Sequence, residues 1–351
     1  PLDFSFEKNV GAILHMYLGG QAVGESVADL ISGEVNPSGK LAETIPFSEK
    51  DTPAWRYFAP PNDDVEYRES IFVGYRYYET FHVPVKYPFG YGLSYTSFSY
   101  SELNVPEVYS GGKIQIRFKI KNIGKVSGAE IAQLYICPIE SDVIRSHIEL
   151  KGFQKIYLHP GEEKEVILEL DERSFSVYDV EKKAFSMLSG KYQICIGASV
   201  HDLQLKANME VVGNSYFRNE RELFPDYFRE QPHGTEISAE QFYQLLGGEP
   251  KHDKEKKRGE YTVYDSYQDV VNVSMFGKFV RGVVHIGLKI ILRGKSERDP
   301  AFKMVKMGVE EGNLEGLIAT SGGIATPKLI DMLVYNANKK YLQAFKRLLK
   351  K

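Results

Sequence analysis

The sequence predicts a multidomain chain: the end of an α/β domain, then an all-β sandwich, then an α-helical tail. Three observations lead to this prediction. The first 46 residues contain the pattern of one strand and one helix, the middle alternates apolar and polar residues, and the end carries helix start signals followed by an apolar stripe. A length of 351 residues also favours two or three domains over one.

The opening region, residues 1–46, predicts a strand and a helix. The apolar run Val10 to Tyr17 suits a buried strand, and Gly19-Gly20 suits a turn after it. From Gln21 to Ser32 the apolar residues fall at helical spacing, and Gly33 supplies a left-handed stop. One strand and one helix cannot cover both faces of a sheet, so we expect this to be the last unit of a larger α/β domain.

The middle of the chain predicts an ordered linker and then the sandwich. Residues 47–101 are rich in Tyr, Pro and Gly, and the stretch Ile71 to Tyr78 could form one short strand. Over residues 102–212 several runs alternate at the spacing of a β-sandwich. The clearest run places Ile114, Ile116, Phe118 and Ile120 on one side and Gln115, Arg117, Lys119 and Lys121 on the other.

The last part of the chain changes in character after Gly213. Residues 213–260 predict a charged linker that includes the polar run Lys251 to Arg258, and residues 261–351 predict a helical tail. Asp299-Pro300 and Thr326-Pro327 each place an N-cap residue before a proline at the first helical position. From Pro327 onward the apolar stripe predicts one long terminal helix.

Composition narrows the class of function. A net charge of -3 does not suggest nucleic acid as a partner, and no apolar run reaches the length of a membrane span. The 2 cysteines, Cys137 and Cys195, are too few for a disulfide framework. They could form a single bridge between strands or stay as reduced core thiols in a cytosolic protein.

Titratable candidates in the sequence are scattered. His15, His147 and His159 lack metal-ligand spacing, so neither a metal site nor a cofactor is expected. Four acidic residues lie in a polar loop, where solvated carboxylates are the ordinary outcome. They are Asp63, Asp64, Glu66 and Glu69.

Several motifs follow one another along the chain. The first is Gly19-Gly20-Gln21-Ala22-Val23-Gly24-Glu25-Ser26-Val27-Ala28-Asp29-Leu30, which continues to Asn36-Pro37-Ser38-Gly39-Lys40-Leu41, a turn that redirects the chain. It is followed by Tyr67-Arg68-Glu69-Ser70-Ile71-Phe72-Val73-Gly74-Tyr75-Arg76-Tyr77-Tyr78 and by Tyr87-Pro88-Phe89-Gly90-Tyr91-Gly92-Leu93-Ser94-Tyr95-Thr96. Within the predicted sandwich come Lys121-Asn122-Ile123-Gly124-Lys125-Val126-Ser127-Gly128-Ala129-Glu130, Leu150-Lys151-Gly152-Phe153 and Leu158-His159-Pro160-Gly161-Glu162. Together, over about Gly11 to Val212, these motifs resemble glycoside hydrolase family 3. Ser70 stands where that family usually has Gly.

The resemblance implies the closing part of an α/β sandwich domain and a fibronectin type III-like, immunoglobulin-like β-sandwich. It also implies a retaining exo-β-glycosidase, such as a β-glucosidase, which acts on a small β-glycoside with a nucleophilic and an acid/base carboxylate. In the family these are an Asp on an amino-terminal barrel and a Glu on an earlier loop of the α/β domain. Neither can be assigned to a position of this chain.

We therefore expect no catalytic residue in this chain and no activity from it alone. Its expected partner is the barrel with the first part of the α/β domain, from the same precursor or a second chain. Candidate substrate-binding residues are Tyr67, Arg68, Glu69, Tyr75 and Tyr77, with a purely structural role as the alternative.

Two other classes of function stay open. One is a non-catalytic carbohydrate-binding or adaptor module. A homo-oligomer is possible for either class. The other is attachment to a membrane surface, because Arg281, His285, Lys289 and Arg293 recur every four residues along one side of a predicted helix. That basic side could equally face water while the apolar side packs on the protein itself.

Overall fold

The computed structural model describes residues 4–58, 65–213, 219–229, 236–249, 256–292 and 299–349. The chain forms two compact units, Pro1–Pro250 and Lys251–Lys351. The first contains every described strand, and the described part of the second is helical. The predicted fold class, a multidomain chain with a sheet-rich sandwich and a helical tail, is confirmed.

The first unit contains the following strands and helices. The strands are β1 Ile45–Pro46, β2 Val85–Tyr87, β3 Phe98–Asn104, β4 Val108–Tyr109, β5 Ile114–Asn122, β6 Gly128–Pro138, β7 Glu149–Leu158, β8 Glu163–Leu170, β9 Ser176–Asp179, β10 Ala184–Met187, β11 Gly190–Ser199 and β12 Asp202–Val211. The helices are α1 Val23–Ser32, α2 Tyr75–Thr80, α3 Glu220–Leu223 and α4 Ala239–Leu246.

Two sheets form the sandwich. One has the strand order β4-β12-β11-β6-β7 and the other the order β3-β5-β8. All pairs in these sheets are antiparallel except β4, which runs parallel to β12. The alternation in β5 is confirmed, because Ile116, Phe118 and Ile120 are buried in the core between the sheets.

The opening region differs in part from the prediction. Helix α1 and its stop are confirmed, since Gly33 ends the helix with φ 83°. The strand predicted from Val10 to Tyr17 is wrong: this run has no strand structure, and Ile13 and Leu14 are exposed. A strand needs a neighbour for its N–H and C=O groups, and none of the described strands pairs with this run.

The Tyr-rich segment is a helix where a short strand was predicted. Helix α2 starts after Gly74, which has φ 56°, and it places Tyr77 and Phe81 one turn apart with ring centroids 5.4 Å apart. Both side chains are buried in one aromatic cluster, which favours the helix over the intrinsic strand preference of tyrosine.

Residues 213–260 are more than a charged linker, which corrects that prediction. In the described part, α3 and α4 lie within this range, and Phe224, Tyr227 and Ile237 are buried against Phe72 and Tyr77. The burial of large apolar side chains fixes the part that contains α3 and α4 on the first unit. Most of the predicted polar run, residues 251–255, lies outside the described residues.

The second unit is a helical assembly around its own core. Its helices are α5 Tyr267–Asn272, α6 Met275–Ile291, α7 Pro300–Glu310, α8 Leu314–Thr320, α9 Pro327–Ala337 and α10 Tyr341–Leu349. The predicted caps are confirmed: the Asp299 side chain accepts a hydrogen bond from Ala301 N, and the Thr326 side chain accepts one from Leu329 N. None of the described helices is long and apolar enough to cross a bilayer.

The long terminal helix predicted from Pro327 is wrong, because the chain breaks it between α9 and α10. Lys339 takes a left-handed conformation with φ 60°. The preceding Asn338 accepts hydrogen bonds from the backbone N–H groups of Gly259 (2.9 Å) and Tyr261 (3.0 Å) through Oδ1. These long-range bonds hold the turn that the apolar periodicity did not show.

Candidate functional site

The motif residues Tyr67 and Arg68 lie side by side in different surroundings. Tyr67 is 69% exposed. Arg68 donates to Glu66 Oε2 at 2.6 Å and to the carbonyl of Ile237 at 3.2 Å, and its guanidinium carbon lies 4.5 Å from the centroid of the Tyr57 ring. The Arg68 guanidinium therefore links Glu66, Tyr57 and Ile237, while the Tyr67 ring faces solvent.

Glu69 is a buried carboxyl group. Its residue is 4% exposed, and Oε2 has no hydrogen-bond partner in the described part of the chain. Burial raises the pKa of Glu69 above the ordinary range of a glutamate. An acidic group in this state costs stability when it is ionised.

Tyr75 and Tyr77 are packed in two separate aromatic clusters. The Tyr75 hydroxyl accepts a hydrogen bond from Leu150 N at 2.9 Å, and its ring stacks on Phe89 with centroids 4.6 Å apart. Burial raises the pKa of Tyr75. Tyr77 is fully buried beside Phe81. In this structure neither ring presents a face to solvent.

Of the five candidate substrate-binding residues, the structure thus exposes one aromatic ring, that of Tyr67. The substrate-binding role of the set stays a prediction. Among the acidic candidates, Asp63 and Asp64 lie outside the described residues, and Glu66 accepts hydrogen bonds from Arg68 and from the Tyr243 hydroxyl (2.5 Å).

The three histidines singled out in the sequence have separate surroundings, and the ring centroid of His147 lies 6.0 Å from that of His82. His15 lies 3.9 Å from a carboxylate oxygen of Glu43, and His159 Nδ1 lies 3.1 Å from Ser127 Oγ. In the described ranges, no group of three or more His, Cys, Asp or Glu side chains could hold a metal ion.

Asn36 connects the opening region to the sandwich, and its role was not predicted. Its Nδ2 donates to the carbonyl of Ser127 at 3.3 Å, and its Oδ1 accepts from Ser94 Oγ (3.1 Å) and Tyr95 N (2.8 Å). The Tyr95 hydroxyl in turn donates to the carbonyl of Leu30 at the end of α1. The sequence signal for this connection was the Asn-Pro-Ser-Gly turn. Such a turn indicates that the chain changes direction, but it does not show which residues Asn36 bonds.

Lys40 makes the second connection. Its Nζ lies 3.0 Å from Glu130 Oε1 on β6, with side-chain exposures of 11% and 7%, and it donates to the carbonyl of Gly92 at 3.1 Å. A Cβ atom at Gly92 would collide with the carbonyl oxygen of Gly39. A glycine is thus required at position 92 by its contact with this segment.

The opening region carries an uncovered apolar surface. Leu18 is 100% exposed and Ile31 is 74% exposed, and α1 has no buried residue. Further exposed apolar side chains in the same region are Phe6, Val10, Ile13, Leu14, Tyr17, Val23 and Val35. Such a concentration of apolar side chains marks an interaction surface. The arrangement can therefore position a neighbouring domain, because Asn36 and Lys40 attach it to the sandwich and many of its apolar side chains are exposed.

Two family models match this chain. Residues 1–95 match the glycosyl hydrolase family 3 C-terminal domain, and residues 130–200 match the fibronectin type III-like domain. The chain carries carboxy-terminal sequence of glycoside hydrolase family 3. The resemblance inferred from the motifs is thereby confirmed.

Curated family 3 relatives include enzymes of different names. The chain is 46% identical over 213 residues to thermostable beta-glucosidase B of Acetivibrio thermocellus, covering 60% of this chain and 28% of that protein. It is 38% identical over 207 residues to an exo-alpha-(1->6)-L-arabinopyranosidase of Bifidobacterium breve, covering 59% of this chain and 27% of that protein. The chain spans less than a third of the length of these relatives.

Solved family 3 structures share the fold of the matched part. A Bifidobacterium adolescentis GH3 beta-glucosidase aligns with a TM-score of 0.56 at 37% identity, over 58% of this chain and 30% of that one. A beta-glucosidase of Kluyveromyces marxianus in complex with glucose aligns with a TM-score of 0.57 at 36% identity, over 62% of this chain and 26% of that one.

Proposed function

We propose that this chain is the carboxy-terminal scaffold of a retaining, exo-acting β-glycosidase that completes its active unit by docking on an α/β domain and a catalytic barrel. The observation that carries the proposal is the exposed apolar surface of residues 10–35. The run from Val10 to Tyr17 has the composition of a buried strand, and no described strand is present to pair with it. A neighbouring sheet would supply both the missing hydrogen bonds and the cover for Ile13, Leu14 and Leu18.

In this proposal the reacting carboxylates come from the docked domains. Retention requires a nucleophile and an acid/base group about 5 Å apart, with a covalent glycosyl-enzyme between the two steps. The role of this chain is to hold the α1 segment in place on the sandwich, through Asn36 and the ion pair of Lys40 and Glu130. The substrate class is a small glycoside with a non-reducing β-linked glucose or a related sugar, as the names of the beta-glucosidase relatives suggest.

Reconstitution tests this function. The chain alone and the chain co-expressed with the part of thermostable beta-glucosidase B of Acetivibrio thermocellus that it does not cover would be assayed on nitrophenyl β-glucoside. We expect no hydrolysis by the chain alone and clear hydrolysis by the combined material. Hydrolysis by the chain alone would contradict the scaffold role, and a co-purifying but inactive complex would contradict the glycosidase assignment.

A matched pair of variants tests the docking surface. Leu18→Asp places a charge on the fully exposed apolar position beside α1, and Val180→Asp does the same at an exposed position beside the β9 to β10 hairpin. We expect only Leu18→Asp to reduce the recovery of activity, because burying an unpaired carboxylate at an interface costs several kcal/mol. Equal effects of the two variants would contradict docking through this face.

A second candidate function, attachment to an anionic membrane surface, is favoured by helix α6. Exposed apolar side chains follow one face of this helix, namely Met275, Phe279, Val283, Ile286 and Ile290. On a helical wheel Lys278 and Lys289 lie beside that face, whereas Arg281 lies on the opposite side of the helix. Residues 251–351 also hold 20 Lys and Arg against 11 Asp and Glu, a net charge of +9 within a chain of net charge -3. Arg293, the last residue of the predicted basic stripe, lies outside the described residues.

Sedimentation with vesicles tests this second candidate. With anionic vesicles at low salt, we expect the double variant Phe279→Ser, Ile286→Ser to lose binding, while Ile324→Ser, exposed in the same unit, keeps it. Vesicle binding that is unchanged in the double variant would contradict attachment through α6.

A further inference from the structure

A cavity of about 430 Å³ lies between helices α5, α6 and α7 of the second unit. Its volume is in the range of about 300–1,000 Å³ that small-molecule sites occupy. Its apolar lining comes from Val284 and Leu288 of α6 and Val309 of α7. Neither the glycosidase proposal nor the exposed apolar face of α6 makes use of this cavity.

Positive charge dominates the polar lining of the cavity. Lys278 and Arg281 of α6 and Lys306 of α7 contribute three cations, and Glu310 contributes one carboxylate. Lys306 Nζ lies 3.9 Å from Glu310 Oε2, so this pair offsets part of the charge. Two positive charges remain in excess, and His285 adds a further polar group to the same wall.

Tyr267 gives the cavity a hydrogen-bond donor that has no partner. The residue is 5% exposed, it lines the cavity, and its hydroxyl has no hydrogen-bond partner in the part of the chain that the structure describes. Burial raises the pKa of Tyr267 to about 12, with Arg281 acting in the opposite direction. At neutral pH the hydroxyl is therefore protonated and can donate.

The backbone that carries Tyr267 is held by its own hydrogen bonds. Tyr267 begins α5 behind the Ser266 cap, and its N–H donates to the carbonyl of Gly312 at 2.9 Å. Arg281 is also held, because its Nη1 donates to Asn272 Oδ1 at 2.8 Å. A buried hydroxyl left unpaired costs about 1–3 kcal/mol, which a bound acceptor would remove.

We propose that this cavity binds the phosphate group of a phosphate monoester, with Tyr267, Lys278 and Arg281 around the phosphate and the attached apolar group against Val284, Leu288 and Val309. A dianion with several acceptor oxygens matches the excess of cations and the unpartnered hydroxyl of Tyr267. The ester could be a soluble molecule or the headgroup of a phosphatidic acid, which present the same chemistry. The proposal is independent of the glycosidase function, since it uses only the second unit.

Calorimetry on the full chain tests the site. The probes are hexyl phosphate and, as a neutral match in shape, hexanol. We expect hexyl phosphate to bind and hexanol not to bind, and added NaCl to weaken the binding of hexyl phosphate because the attraction is partly Coulombic. Absence of hexyl phosphate binding, or equal binding of hexanol, would overturn the proposal.

Matched variants assign the binding to these residues. Tyr267→Phe removes only the hydroxyl, and we expect it to weaken binding about tenfold or more. Tyr264→Phe, exposed in the same unit, should change nothing. Lys278→Ala should weaken the binding of hexyl phosphate about threefold to tenfold. Lys303→Ala is its control and should leave binding unchanged, because Lys303 is on α7 but does not line the cavity. Thermal melting without ligand should be no lower for Tyr267→Phe than for the original chain, so a loss of affinity cannot come from unfolding.

Vesicles distinguish the two sources of the phosphate. Binding to phosphatidylcholine vesicles that contain phosphatidic acid, lost in Tyr267→Phe and in Lys278→Ala, would support the lipid source. Binding of hexyl phosphate without binding of such vesicles would support the soluble source. Full affinity for hexyl phosphate in both variants would overturn the site itself.

Discussion

The ion pair of Lys40 and Glu130 is buried, so we expect the effect on stability of removing one charge to depend on whether the other is present. At a separation of 3.0 Å the gross attraction is about 5 kcal/mol at an effective dielectric constant of about 20. Side-chain exposures of 11% and 7% mean that water screens the pair little. Removing both charges from water costs several kcal/mol per ion, so the net contribution of the intact pair is small.

Breaking the pair from one side is the informative perturbation. We expect Lys40→Met to lower the free energy of unfolding of the first unit by about 3–5 kcal/mol, because Glu130 is then left buried without its cation. Glu130→Gln should lower it by less, since it leaves Lys40 with the carbonyl of Gly92 as an acceptor. The double variant Lys40→Met, Glu130→Gln should be more stable than the sum of the two single losses predicts.

Urea unfolding followed by circular dichroism, on the four members of this double-mutant cycle, measures the coupling. We expect an interaction energy of about 1–3 kcal/mol between the two positions. The exposed pair of Lys113 and Glu169, at 2.7 Å, serves as the control and should show little coupling, because water screens both charges. A loss below about 1 kcal/mol for Lys40→Met, with no coupling, would refute the reasoning that burial makes this pair interdependent.

Three further predictions concern single positions. Glu69→Gln should raise the melting temperature relative to the original chain by an amount that grows as pH rises above the ordinary pKa of a glutamate, because burial raises the pKa of Glu69 and its ionisation is then destabilising. A pH-independent difference would contradict this. Ser70→Gly should stabilise the first unit by about 1 kcal/mol in urea unfolding, because Ser70 has a left-handed φ of 54° where the family usually has Gly. A loss of stability in this variant would show that the Ser70 side chain is needed. Asn122→Ala should lower the free energy of unfolding by about 2–4 kcal/mol. The fully buried Asn122 side chain accepts a hydrogen bond from Thr96 Oγ1 (2.7 Å) and donates one to the carbonyl of Leu158 (3.0 Å). A loss under about 1 kcal/mol in urea unfolding would contradict this role.

The two cysteines bear on how such variants are handled. Cys137 and Cys195 are free, with their sulfur atoms 3.8 Å apart on the adjacent strands β6 and β11. The reduced pair, one of the two alternatives open from the sequence, is the state that the structure describes. Unfolding experiments therefore require a reductant, so that no bridge forms in the unfolded chain.

The predicted elements that proved correct are those whose signals are local. Alternation in β5 fixes which side of the strand is buried, because successive side chains point to opposite faces. The caps at Asp299 and Thr326 and the stop at Gly33 depend on conformations of one or two residues. These features need no knowledge of what packs against them.

The predicted elements that failed depend on neighbours. The run from Val10 to Tyr17 has the composition of a buried strand, but a strand forms only beside another strand. Tyr77 prefers a strand by propensity and is helical because its ring is buried with Phe81. Apolar periodicity continues past Ala337, but hydrogen bonds to Asn338 from residues far along the chain break the helix there.

By itself the sequence determined the order of the domains, the inward faces of the sandwich strands and the family, since motifs, alternation and caps are properties of short segments. The tertiary structure decided which side chains are available. It buried Tyr75 and Tyr77, paired Lys40 with Glu130, and brought Tyr267 together with Lys278 and Arg281. Burial and pairing depend on distances between residues far apart in the chain, and only the packed molecule sets those distances.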